Sequence, residues 1–334
     1  MRRSAIRAAV VLGGLAISLV FGYLAVRGVR PHAAWRALQA SNDWWLGPSL
    51  AALAAAIVAR VVRWQLLFRP GRRPPLRSLG KATVVGLLFN SILPARAGEA
   101  ARVVALKRYE GTSLAETTAT VVVERIVDVS SLLLLLFVLL AWLPPVSWLS
   151  AAAGVAGGCL LGIAVLGLVV SRVRERPEPA IHLFARLPGL REDNVRRLVR
   201  NTLHGLETLV SPRQALGVVA WTYVSWLLLG LSFWFLMIGF DLGLSFLAGL
   251  LVVIATGLAF IVPSAPAALG VFEAAGLTVL SAYGIPRSHA FAYVLTLHLL
   301  NVVPFVFAGL AVLVWDARVR RLSPAKAVPV RSRR

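Results

Sequence analysis

Apolar positions run along this chain in blocks of about 20 residues, the length of helix that crosses roughly 30 Å of hydrocarbon. Such blocks occupy 5–26, 45–68, 118–142, 147–171, 213–238 and 289–315, and each predicts a full transmembrane helix. Two further apolar regions, 79–107 and 243–284, are interrupted near their middles, at Pro94-Ala95-Arg96-Ala97-Gly98 and at Pro263-Ser264-Ala265-Pro266. Proline removes a helical hydrogen bond and pushes its predecessor out of the helical region, so each interrupted region reads as two short helices forming a hairpin. For 243–284 a second reading stays open, two ordinary spans at 243–262 and 265–284. The expected fold class is all-α, a polytopic transmembrane bundle of about six full spans plus two broken or re-entrant hairpins.

Composition changes the picture by naming the solvent. With 58% hydrophobic residues and a mean hydropathy of +0.79, the chain holds more apolar surface than one water-soluble core can hide. The net charge of +21 comes with only 15% charged residues, so the cations must gather between apolar blocks. Arginines that flank apolar runs, rather than interleaving with aromatics on a polar surface, argue against nucleic acid and for a cytoplasmic membrane face. On that rule Arg60, Arg63, Arg69, Arg72, Arg73, Arg77, Lys107, Arg108, Arg172, Arg174, Arg176, Arg318, Arg320 and Arg321 are placed on the cytoplasmic side. The opposite side receives 27–44 and three short turns. Both termini are then cytoplasmic, in a multi-pass protein of the cytoplasmic membrane. The basic start Met1-Arg2-Arg3 precedes an apolar block of spanning length, which reads as a retained first helix.

This topology requires 79–107 to enter and leave from the cytoplasm and 243–284 from the outside. Two inverted repeats then appear, 45–142 and 213–315, of the kind used by transporters with broken helices. Residues 1–321 form one integral membrane domain. Within it, 178–210 reads either as an amphipathic helix on the cytoplasmic leaflet or as a solvated basic connector. Residues 322–334 read as a disordered basic tail.

Polar groups inside spans cost about 2.5–3.5 kcal/mol each on insertion scales, so those that persist line cavities or pair with one another. Three clusters stand out. The first holds Asn90, Arg96, Glu99 and Arg102 around the helix-breaking Pro94 and Gly98. The second holds Glu124, Arg125 and Asp128; Glu124 and Asp128 lie four apart on one helical face and need a cation between them, for which Arg96 or Arg102 is the natural partner. That arrangement reads as a register-fixing ion network or as a polar cavity whose arginine binds a lipid phosphate. The third holds Glu273 beside the breaks at Pro263, Pro266 and Gly270, facing His298 and Asn301. There His298 alone reads as a satisfied core histidine, and Asn301 with Pro304 as a kink. Glu99 and Glu273 sit at corresponding points of the two breaks, which suits a substrate or proton site.

Walker A, His-Glu-x-x-His and Gly-x-Ser-x-Gly motifs are absent, and Cys159 is the single cysteine. Neither a metal site nor a cofactor is expected, and an enzyme is not.

The run Phe89-Asn90-Ser91-Ile92-Leu93-Pro94-Ala95-Arg96-Ala97-Gly98-Glu99, the segment Glu124-Arg125-Ile126-Val127-Asp128, and Pro263-x-x-Pro266 through Gly270-Val271-Phe272-Glu273 resemble the lysylphosphatidylglycerol synthase transmembrane, or flippase-like, family over about 45–315. The resemblance implies movement of a polar lipid or polyprenyl-linked lipid between leaflets. The soluble aminoacyl-transferase domain of the larger members is not expected here. The second break reads Ala267-Ala268-Leu269-Gly270 where the family would have a more glycine-rich run. On this reading Arg96 and Arg102 hold phosphate, while Glu99, Glu124, Asp128 and Glu273 balance them, contact a cationic head group or carry protons. The partners are membrane lipids with an anionic or zwitterionic head group, including polyprenyl phosphate. Two rival readings remain: a non-catalytic partner of a lipid or glycan synthase, for which Arg196, Arg197 and Arg200 would matter and Arg96 would not, and a membrane transferase acting on a lipid-linked substrate.

Overall fold

The structure, a computed structural model, describes residues 2–93, 97–139, 142, 154–162, 212–260 and 264–322. Among these, every regular element is helical. The order is α1 (Arg2–Val26), α2 (Pro31–Gln39), α3 (Leu46–Leu66), α4 (Leu76–Ile92), α5 (Ala97–Glu110), α6 (Leu114–Leu139), α7 (Pro212–Gly239), α8 (Phe246–Ala259), α9 (Val271–Ala282) and α10 (Arg287–Leu322). Turns of 3-10 helix at Asp43–Trp45 and Pro266–Ala268 precede α3 and α9, and 154–162 is helical. The segment 178–210, residues 323–334, most of the expected span 147–171, and Pro94, Arg96 and Pro263 lie outside the described residues.

Among the described residues three stretches, Asp43–Leu66, Arg213–Gly239 and Arg287–Val319, are long and apolar enough to cross a membrane. A fourth joins them if Leu12–Val26 and Pro31–Gln39, bent by 78°, count as one crossing. The protein is therefore a helical membrane protein; of the six expected spans, 147–171 falls mostly outside the described residues, and 118–142 does not meet the test of length and composition. The difference at α6 has a physical reason. At 26 residues it is about 39 Å long, but Glu124, Arg125 and Asp128 in its middle raise its polarity. The stretch 27–44, expected only as a connection, contains α2, which starts on Pro31, a residue whose fixed φ suits the first helical position.

Both interrupted regions are pairs of short helices packed side by side. α4 and α5 have 17 and 14 residues, about 25 and 21 Å. α8 and α9 have 14 and 12 residues, about 21 and 18 Å. None reaches across 30 Å of hydrocarbon, which favours the hairpin over two ordinary spans for 243–284. α4 stops where Leu93 turns extended (φ −102°, ψ 144°), as the residue before a proline does.

The order long helix, hairpin, long helix thus occurs twice, as α3, α4/α5, α6 and as α7, α8/α9, α10. α3 and α7 run antiparallel. Ser49, near the start of α3, donates to the Ser232 carbonyl late in α7 (2.7 Å), while Gln214, at the start of α7, donates to the Phe68 carbonyl just past the end of α3 (3.2 Å). One apolar core gathers around Phe233, Phe272 and Tyr293, and a second around Trp64, Phe68 and Leu106. Arg102 adjoins the second core through Trp64, and His298 adjoins the first through Phe272.

Candidate functional site

The first break is closed by contact between backbones. A Cβ on Gly98 would overlap the Gly86 carbonyl oxygen and lie 2.5 Å from Asn90 Oδ1, so α5 approaches α4 more closely than any side chain allows. Asn90 Oδ1 accepts from the Gly98 N–H at 2.9 Å, satisfying one of the donors exposed at the start of α5. This crossing aims Arg102, one turn further along α5, at α6.

There Arg102 forms a fork with Glu124, Nη1 to Oε1 at 3.2 Å and Nη2 to Oε2 at 3.1 Å. Its guanidinium also lies 4.2 Å from the centre of the Trp64 ring. The cation expected beside Glu124 is therefore Arg102; Arg96 lies outside the described residues. Asp128 takes different partners. Arg63 Nη1 donates to Asp128 Oδ1, and Arg63 Nη2 stands 3.3 Å from Glu124 Oε1. Arg125 reaches Glu124 at 2.6 Å, Asp128 at 3.2 Å and Glu99 at 3.6 Å.

Arg63 corrects the sequence reading, which placed it with Arg60 among cytoplasmic loop cations. It is completely buried in α3, and Arg60 faces a cavity. The signal was present: both positions fall inside the apolar block 45–68, and residues three apart share a helix face. Arginines there had to be paired or lining a polar space, and were wrongly counted as flanking charges.

The second break is held by side chains. Glu273 Oε2 accepts from the Gly270 N–H at 2.7 Å, at the start of α9, where a negative charge also suits the helix dipole. Its other oxygen, Oε1, bonds to His298 Nδ1 on α10. His298 Nε2 lies 3.0 Å from the Ala267 carbonyl, which can only accept, so that nitrogen carries a proton. Ala267 and Ala268, where a glycine-rich run was expected, adopt φ of 56° and 58°, a left-handed conformation that L residues disfavour. His298 is thus a satisfied core histidine, as read from the sequence, and it also braces a strained turn. α10 runs unbroken through Pro304, and Asn301 donates to the Leu297 carbonyl of its own helix (2.8 Å). His298→Ala is expected to lower stability by about 2 kcal/mol, because it leaves the buried Glu273 oxygen and the Ala267 carbonyl without partners. Thermal unfolding in detergent reads this, with His298→Gln recovering part of the loss; an unshifted His298→Ala would mean the brace carries no load.

Both breaks open on one cavity of about 420 Å³. Asn90, Glu99 and Arg102 line it from the first hairpin, Glu124, Arg125 and Asp128 from α6, and His298 and Asn301 from α10. Of the other expected binding residues, Glu273 sits behind His298, and Arg96 is not described. The expected break residues Pro266 and Gly270 shape the turn and do not line the cavity, while Gly98 does. Leu53, Leu229 and Phe305 supply apolar wall.

Residues 11–309 match the family described as the lysylphosphatidylglycerol synthase TM region. The chain belongs to this family. A UPF0104 membrane protein of Methanocaldococcus jannaschii is 25% identical to it over 230 residues, 67% of this chain and 92% of that protein. The family match spans both hairpins, α6 and most of α10, so every wall of the cavity lies within the matched region.

Proposed function

We propose that this chain carries the polar head group of a membrane lipid between leaflets through the charged cavity, while the acyl chains stay in the bilayer. The observation that carries this reading is that the breaks of both hairpins meet at one cavity, in a helical membrane protein whose other buried surfaces are mostly apolar. A charged space inside a bilayer is costly to keep and is typical of substrate or ion paths. The antiparallel α3 and α7, each leading a long-short-short-long set, support the inverted-repeat arrangement in which such paths form between halves. The clustering of arginine between apolar blocks supports the cytoplasmic membrane as the site, with both termini on the cytoplasmic side. The reading requires no covalent step and no cofactor.

Liposomes containing fluorescent phospholipid report leaflet exchange as dithionite-accessible signal. Wild-type protein is expected to bring the inner-leaflet fraction within reach of the quencher, and Glu124→Gln and Glu273→Gln to slow this at least tenfold. Exchange at the protein-free rate, across glycerophospholipid and polyprenyl-phosphate probes, would end the proposal. So would exchange that neither substitution affects.

A further inference from the structure

Several residues around the cavity carry a buried donor that no acceptor meets. Among the described residues, six buried side-chain nitrogen or oxygen atoms have no hydrogen-bond partner: Nε of Arg60, Arg63, Arg102 and Arg125, Thr83 Oγ1 and Trp226 Nε1. All except Arg63 belong to residues that line the cavity. Every one of these is a donor or, for the threonine hydroxyl, can act as one. Buried donors without partners are rare in folded proteins, and five of these six belong to residues around one cavity, Arg60 among them.

Ion pairing singles out one of these arginines. The cavity is lined by the guanidiniums of Arg60, Arg102 and Arg125 and by the carboxylates of Glu99, Glu124 and Asp128, and the buried Arg63 adds a further cation to Glu124 and Asp128. The three other arginines form ion pairs with these carboxylates; among the described residues Arg60 forms none. It lies over the Trp226 ring, 4.6 Å from its centre. A guanidinium held by an aromatic face keeps its N–H fork available, and that fork matches the geometry of a phosphate.

We infer that Arg60 forms an oxyanion subsite in this cavity, filled by a phosphate group. The subsite takes from Arg102 the role expected of it, since both terminal nitrogens of Arg102 are engaged by Glu124. Its assignment to a lipid phosphate rests on the head-group reading above; the subsite itself does not.

The test is calorimetric titration of the full chain in a neutral detergent with dihexanoyl phosphatidic acid, inorganic phosphate and uncharged dihexanoylglycerol. Thermal unfolding is measured with and without each. The phosphatidic acid is expected to bind and raise the melting temperature, and the uncharged diacylglycerol to do neither. Inorganic phosphate binding as tightly as the lipid would make the free anion the occupant; weaker binding assigns the subsite to a lipid head group. Arg60→Gln is expected to weaken phosphatidic acid binding about 10- to 100-fold, the range for loss of charged hydrogen bonds. Because Arg60 pairs with no carboxylate, ligand-free Arg60→Gln should melt at or above the wild-type temperature. Arg60→Lys, which keeps the charge and loses the fork, should bind between the two. Equal binding by all three proteins overturns the inference. Arg60-dependent binding without leaflet exchange would retire translocation and keep the subsite, and exchange unchanged in Arg60→Gln would do the reverse.

Discussion

Arg63→Ala is expected to lower the unfolding free energy by about 3–5 kcal/mol, the usual result of removing one partner from a buried ion pair. Arg63 has no solvent exposure, and its guanidinium serves Asp128 and Glu124 together. Without it, Arg102 still holds Glu124, but Asp128 keeps only Arg125, whose side chain is 37% exposed. A carboxylate buried beside too few cations either carries an uncompensated charge or takes up a proton, and both weaken the joint between α3 and α6. Arg63→Ala/Asp128→Ala should recover at least 1 kcal/mol of the loss, since it removes the orphaned charge as well as its partner. Unfolding in mixed micelles reads both values. A single substitution costing under about 1 kcal/mol would show that the network is ornamental and that Arg63 packs as an aliphatic stem.

The second large effect concerns the smallest side chain. Gly98→Ala places a methyl group on the Gly86 carbonyl oxygen, which is backbone and cannot rotate away. The hairpin must open for the residue to fit, with loss of the Asn90 to Gly98 bond and a shift of Arg102 away from Glu124. The expected cost is about 3 kcal/mol or more, at the upper end for overpacking because rigid backbone has to move. Gly80→Ala on the facing helix α4 is the control. A Cβ there meets nothing within 4 Å, and exchanging a helical glycine for alanine should stabilise by about 0.5–1 kcal/mol. Opposite signs at the two positions, in melting temperature and in the amount of folded protein recovered from membranes, are the outcome that supports the closed crossing. A neutral Gly98→Ala would mean α4 and α5 stand apart.

The elements most legible in the sequence were those set by long apolar periodicity and by proline. The blocks 45–68 and 213–238 correspond to α3 and α7 within a few residues, and both Pro/Gly interruptions separate short helices. The clusters around Asn90, Glu124 and His298 also converge, because charge inside lipid must find charge. Arg60 and Arg63 were misread because the cation-counting rule treats an arginine near the end of an apolar block as a flank, and that rule carries no information about pairing in space. α2 was missed because its nine residues are too few and too polar to stand out from a loop. Glu273 was paired with the right face of α10, but its cap on Gly270 depends on a turn containing two left-handed alanines, which no propensity favours.

The second break owes part of its shape to the first helix. The Ala265 N–H donates to Ser18 Oγ at 2.7 Å across 247 positions of sequence, and a Cβ on Gly270 would collide with the α1 backbone at Ser18 and Gly22. At ribosomal speeds of about 5–20 residues per second, Ser18 enters the bilayer tens of seconds before Ala265 exists. The early helix must therefore wait in lipid with that hydroxyl turned back on its own backbone, and the last third of the chain closes on a surface made first. Translational pausing or an insertase acting between these two moments would act on assembly of the second hairpin, while the first, closed on itself at Asn90 and Gly98, would still await α10, where Asp316 meets Lys81 and Tyr109.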